Sequence, residues 1–253
     1  MEFPSALCAE SSLVEFEVMF NARFSAVSAG FFVEADRLVG TTRKFAAAGC
    51  KTVRVTGSED RSRADETRAR LLEAAVVAFA ERGFHGSTTR DITSIAGLST
   101  AAIYVHHRSK EELLYQVSRG GHQNTLERIQ AAIASSDDPV DQLIAVMREF
   151  AIHHARAHTV ARVINYELAA LSPEHQREIK AIRHVIDAEM RQLIERGVAA
   201  GAFDNPDPHM AAVALLSLGI DLARWYREDG PLSPEEIGDY YVDLALRIVG
   251  ART

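Results

Sequence analysis

Cysteine is nearly absent from this chain. Cys8 and Cys50 are the only two, and both precede residue 58. Two cysteines cannot build a disulfide framework or supply the four ligands of a structural zinc site, and the scarcity suits a reducing cytosol, so a cytoplasmic protein is expected. Long hydrophobic runs are missing too. The longest uncharged, apolar-leaning stretch, 24–33, is about ten residues, against the ~20 that span a bilayer. No membrane association is expected. A secretory leader is not expected either, because Glu2, Glu10, Glu15 and Glu17 occupy the zone of a basic leader segment. There is no Walker loop, no glycine-rich dinucleotide turn after a strand, no nucleophile elbow and no zinc-protease motif. The pattern offers no catalytic residue and no cofactor site.

The net charge of −7 taken alone disfavours nucleic acid, but its distribution matters more than its sum. Residues 1–60 carry 6 basic and 8 acidic groups, residues 61–119 carry 9 and 7, and residues 120–253 carry 13 and 20. Only the middle block is positive. An acidic remainder keeps the protein soluble and repels a polyanion from the wrong surface.

Residues 1–58 show recurring phenylalanines without a sustained period of 2 or 3.6. They read as an extension without a function of its own, or as an artefact of start-site choice, with Val53 as an alternative start. An added helical arm is the competing reading. From Ser58 onward the pattern is helical, with no strand-like alternation, so an all-α fold is expected. In 64–81, Leu71, Leu72, Ala75 and Phe79 fall on one face, and Gly83 closes the helix. Residues 88–96 form a short helix with Thr88 as N-cap and Asp91 in its first turn. Gly97 makes a turn, and Ser99 caps a second short helix, 100–106. Ser109 opens a long helix reaching about Ser135, within which Gly120-Gly121 marks a bend. Helices are expected over 139–157, 159–171, 173–201, 208–228 and 234–250, most starting beside proline or a hydroxyl.

The informative stretch is 88–110, Thr-Thr-Arg-Asp-Ile-Thr-Ser-Ile-Ala-Gly-Leu-Ser-Thr-Ala-Ala-Ile-Tyr-Val-His-His-Arg-Ser-Lys. It encodes two short helices joined by a tight glycine turn, the second too short and too polar for a core element. Such a helix fits the major groove, and helix N-termini with hydroxyls fit phosphates. Small residues at 101 and 102 permit close approach to base edges.

Over 66–115 the chain resembles the DNA-binding domain of the TetR family of bacterial regulators. Thr-x-x-Asp-Ile, Ala-Gly-Leu-Ser, Ile-Tyr-x-His and Ser-Lys-Glu-Glu-Leu carry the resemblance. It implies that Arg90, Thr100, Ala101 and Val105 face bases, while Thr88, Thr89, Tyr104, His106 and Lys110 hold phosphates. Where the family places an apolar residue this chain has His107, expected to be partly exposed or to loosen the packing. The resemblance also implies three parts: an extension (1–58), a helix-turn-helix DNA-binding domain (59–114) and a larger helical ligand-binding and dimerisation domain (115–253).

In that body, helices 208–228 and 234–250 are apolar on more faces than one core requires, which suits a homodimer built through the last two helices. The middle helices bring aromatic and polar residues together, and Phe150, His154, Arg162, Asn165, Tyr166, Asp221 and Trp225 are the candidate ligand set. Asp221 is the sharpest of these, although a salt bridge with Arg224 explains it equally well. His154 and His158 have the spacing of a metal pair, but nothing completes a site, and no metal is expected. The segment 224–237 resembles the TetR subgroup governing lipid, fatty-acid or sterol catabolism in actinobacteria, some of whose members sense acyl-CoA. That implies a ligand-released repressor of a palindromic operator, with Arg162 and Arg183 available to CoA phosphates. The rival is an all-helical enzyme or scaffold whose helix-turn-helix only packs.

Overall fold

The computed structural model describes residues 56–252, and the expectations for residues 1–55, including both cysteines, lie outside them. Among the described residues there are nine α-helices and no strand: α1 (Thr56–Gly86), α2 (Thr89–Ala96), α3 (Thr100–His106), α4 (Lys110–Ile133), α5 (Pro139–Arg156), α6 (His158–Tyr166), α7 (Pro173–Ala199), α8 (Pro208–Trp225) and α9 (Pro234–Ile248). A short 3-10 turn, Leu168–Ala170, follows α6. Residues Leu71–Thr253 make one compact unit that holds both the helix-turn-helix and the body.

Local chemistry sets the helix starts. Asp138, Ser172, Asp207 and Ser233 each precede a proline, and each side chain accepts a backbone N–H of the first turn of α5, α7, α8 and α9 respectively. The oxygen satisfies a donor that lacks an intrahelical partner, and proline occupies a position where no N–H is needed. Gly83 has φ +70°, so the helical path of α1 breaks there as its sequence suggests.

The body core comes from five helices. Leu126 and Ile129 of α4 pack with Leu143, Val146, Met147 and Phe150 of α5, Met190, Leu193 and Ile194 of α7, Leu215 and Leu222 of α8, and Ile237 and Ala245 of α9. At about 25 cal/mol per Å² of apolar surface removed from water, this interior is the main stabilising contribution. The expected bend at Gly120-Gly121 is corrected: α4 runs unbroken through both. A Cβ on Gly121 would lie 2.6 Å from Ile164 Cδ1, so this glycine lets α4 and α6 approach closely.

Candidate nucleic-acid interface and ligand cavity

The helix-turn-helix is assembled from its caps. The Thr88 hydroxyl accepts the Asp91 N–H, while an Asp91 carboxylate oxygen accepts from the Thr88 N–H (2.8 Å) and hydroxyl (2.7 Å). These bonds, with Arg82 at 3.0 Å, hold the Asp91 carboxyl below its ordinary range. Gly97 adopts φ +63°, ψ +36°, left-handed backbone that turns the chain between α2 and α3. Ser99 stands at the start of α3 without a side-chain capping bond, which departs from the expectation.

Ile92 and Ile103 are fully buried, which fixes which faces of α2 and α3 point outward. Arg90, Thr100 and Ala101 are exposed, Thr89 and His106 are half-buried, and Tyr104 and Val105 are 63% and 77% exposed. No interior packing accounts for an aromatic ring and a valine displayed on so short a helix. Such a face suits close approach to another surface.

Two expectations near this face need correction. His107 is only 5% exposed, so it stands inside the packing. Lys110 does not reach outward. Its ammonium donates to the carbonyls of Phe84 (2.5 Å) and Ser87 (2.7 Å) and lies 4.2 Å above the centre of the Phe84 ring. The end of α1 leaves these carbonyls without intrahelical partners, and a cation there satisfies them. Partial burial lowers the Lys110 pKa.

Behind the head, the first turns of α4 are tied to α7. Glu111 accepts from the Ser172 N–H and hydrogen-bonds His175 Nδ1, both at 2.8 Å. The Tyr115 ring stacks on His175 with centres 3.7 Å apart, and its hydroxyl donates to Glu178. Burial, then the Glu178 carboxylate, raises the Tyr115 pKa to about 12.

Further into the body, α4 to α8 enclose a cavity of about 390 Å³ with largely apolar walls. Of the candidate ligand set, Phe150, His154 and Asn165 line it. Arg162 and Tyr166 instead border a second hollow of about 310 Å³, beside Phe79, Glu167 and Arg224. Arg162 also donates to the Ala80 carbonyl at 3.3 Å. Asp221 lines neither space and pairs with Arg224 at 2.8 and 2.9 Å, so the salt-bridge reading stands. Trp225 lines neither and is exposed.

The composition-based set missed His122, although it lies in the same helical frame as buried Thr125 and Ile129, a legible sign of an inward face. Its Nδ1 donates to the Ser118 carbonyl at 2.8 Å, and burial depresses its pKa to about 4. His154 repeats the arrangement with the Phe150 carbonyl at 2.8 Å and, again through burial, a pKa of about 4. Both rings are therefore neutral at pH 7. Arg183 closes this polar corner, donating to Asn165 Oδ1 at 3.0 Å.

Met210, Leu218 and Trp225 on α8, with Tyr240 and Leu244 on α9, expose their side chains. Among the described residues no three potential metal ligands cluster, and no helix is long and apolar enough to cross a membrane.

An exposed, capped helix-turn-helix mounted on a helical body that contains a cavity defines a DNA-binding regulator. Comparison with known proteins agrees. Residues 71–117 match the model of the tetR family of bacterial regulatory proteins, and residues 136–249 match the tetracyclin repressor-like C-terminal domain. The HTH-type transcriptional repressor KstR2 of Mycolicibacterium smegmatis is 31% identical over 196 residues, covering 76% of this chain and 92% of that protein. A tetR-family regulatory protein from Rhodococcus RHA1 superposes with a TM-score of 0.71 at 38% identity, over 74% of this chain and 99% of that one. AibR, solved with isovaleryl coenzyme A and operator DNA, shares the fold at 22% identity, with a TM-score of 0.66 over 74% of this chain and all (100%) of that one. The chain belongs to the TetR family, and it is a DNA-binding transcriptional regulator of the subgroup that contains the KstR2 repressors.

Proposed function

We propose that this protein is a cytoplasmic homodimeric repressor that leaves a palindromic operator when a small molecule enters the body. Each protomer lays α3 in a major groove, with Arg90, Thr100, Ala101 and Val105 toward base edges and Thr88, Thr89, Tyr104 and His106 toward phosphates. Lys110 is assigned to the end of α1. The observation that carries this reading is the outward display of Tyr104 and Val105 beside Arg90, on a helix anchored from beneath by Ile103.

The exposed apolar residues of α8 and α9 are the surface for the second protomer. An isologous interface there sets two reading helices about one turn of B-form DNA apart (~34–36 Å) or more. The effector is an acyl-CoA or another lipid or sterol catabolite; the likeness to KstR2 of Mycobacterium tuberculosis, a ketosteroid transcriptional regulator, and to AibR, solved with isovaleryl coenzyme A, supports that class. No catalysis is assigned to the chain.

Gel retardation with the DNA upstream of the protein's own gene tests the reading. Retention should fall steeply with salt and be lost in Arg90→Ala, Tyr104→Ala, with the arginine alone contributing about 1–3 kcal/mol of discrimination. Equal retention by the double variant refutes it.

A further inference from the structure

Arg183 and Lys180 are the two lysine or arginine side chains that line the 390 Å³ cavity, and the side chains that Arg183 hydrogen-bonds are neutral. Its guanidinium donates to Asn165 Oδ1 at 3.0 Å and faces Nε2 of His122 at 3.4 Å. Nε2 can only accept, because Nδ1 of that ring carries the proton given to the Ser118 carbonyl. Asp187 borders the same cavity, yet the side chains that Arg183 bonds among the described residues are the neutral His122 and Asn165. Burial is accordingly the one influence that lowers its pKa. A half-buried cation without a counter-charge is partly desolvated, and a ligand that supplies the anion offsets that cost.

His154 is the second unfinished group. Its ring is 4% exposed and lines the cavity, with Nδ1 committed to the Phe150 carbonyl at 2.8 Å. The other nitrogen, Nε2, has no protein hydrogen-bond partner among the described residues and stays a bare lone pair while the ring is neutral. Arg183, His122 and His154 all line the cavity, and Arg183 Nη1 stands 3.4 Å from the His122 ring. Phe150, Ile164, Leu216 and Ile220 supply apolar wall.

We propose that the effector is an apolar molecule bearing an oxyanion, which pairs with Arg183, and a hydroxyl, which donates to Nε2 of His154. This rests on the reading of the cavity as the effector site. The oxyanion has two chemical sources, a carboxylate attached to the apolar body or a phosphate of a coenzyme A thioester.

Titration calorimetry on the full chain uses four probes: 3-hydroxydecanoate, decanoate, methyl 3-hydroxydecanoate and 3-hydroxydecanoyl-CoA. The hydroxy acid should bind about tenfold or more tightly than its methyl ester, and Arg183→Met should abolish that advantage. The hydroxy acid should likewise exceed decanoate, a preference that His154→Phe removes. Tighter binding of the thioester than of the free acid, sensitive to Arg183→Met, assigns the oxyanion to CoA; the reverse order assigns it to a carboxylate. Thermal melts of both variants verify that they fold, and Arg183→Met alone suffices if His154→Phe does not. Binding indifferent to the carboxylate and to Arg183, or absent for all four probes, overturns the proposal. A cavity-filling Val213→Trp separates the two levels. Operator release that survives this substitution removes the cavity reading, whereas release lost in Val213→Trp but intact in Arg183→Met removes the oxyanion pairing alone.

Discussion

Lys110→Met distinguishes an internal cation from a phosphate contact. In the structure the ammonium makes two charge-assisted bonds, to the Phe84 and Ser87 carbonyls at 2.5 and 2.7 Å, and sits over the Phe84 ring. Hydrogen bonds to charged groups contribute about 1.5–3 kcal/mol each in protected settings, and an exposed cation–π contact about 0.5–1 kcal/mol. Lys110 is only partly buried, and methionine keeps most of the stem, so a net loss of about 2–3 kcal/mol is expected. For a helical unit of this size that lowers the melting temperature by roughly 4–12 °C. DNA binding supplies the second measurement. A lysine that neutralises a phosphate contributes about 0.9 to the slope of log affinity against log salt, so the slope should be unchanged in Lys110→Met. Calorimetric melting and fluorescence anisotropy at several salt concentrations read both quantities. An unaltered melting temperature together with a slope reduced by about one unit would refute the argument.

Acid should destabilise the body through its buried histidines. His122 and His154 titrate near 4 when folded and near 6.5 when unfolded, so below about pH 6.5 the unfolded chain takes up protons that the folded chain refuses. Stability from these rings is complete above pH 6.5 and declines toward pH 4. By pH 5 the loss is on the order of 2 kcal/mol per ring as an upper bound, and urea midpoints at pH 7 and pH 5 measure it; a smaller fall in His154→Phe identifies the source. Leu218→Glu, placed on the exposed face of α8, should yield monomers in sedimentation equilibrium and weaken palindrome binding by about a hundredfold or more; a dimer of normal affinity would exclude that face. His175→Ala removes the stacked and hydrogen-bonded link from α7 to Glu111 and Tyr115. It should leave operator and effector affinities nearly intact yet reduce release by effector, a coupling normally worth about 1–3 kcal/mol; undiminished release counts against the link.

The helix-turn-helix was legible because its determinants are local. Thr88, Asp91 and Gly97 act within a few residues of themselves, and the structure places each where the pattern of caps and turns put it. The same holds for the proline-led starts of α5 and α7 to α9. The cavity was legible only in part, since its walls depend on how five helices rotate against one another. Phe150, His154 and Asn165 share the cavity with Arg183, while Tyr166, on the same helix as Asn165, turns to another hollow. Lys110 illustrates the limit: a basic residue at a helix start looks outward in sequence, and only the break at Gly83 shows that the Phe84 carbonyl lies within its reach.

One helix, α7, carries both the residue tied to the first turns of α4 and a cation of the cavity wall. His175 and Arg183 are eight residues apart on it, about 12 Å at 1.5 Å per residue. An unbroken helix is stiff over that span, so a pull on Arg183 that its flexible side chain does not absorb is passed along the whole rod. A tilt arrives at Glu111 and Tyr115, at the root of the helix that supports α3. The two contacts are thereby coupled mechanically: whatever displaces one arm of this rod is felt at the other.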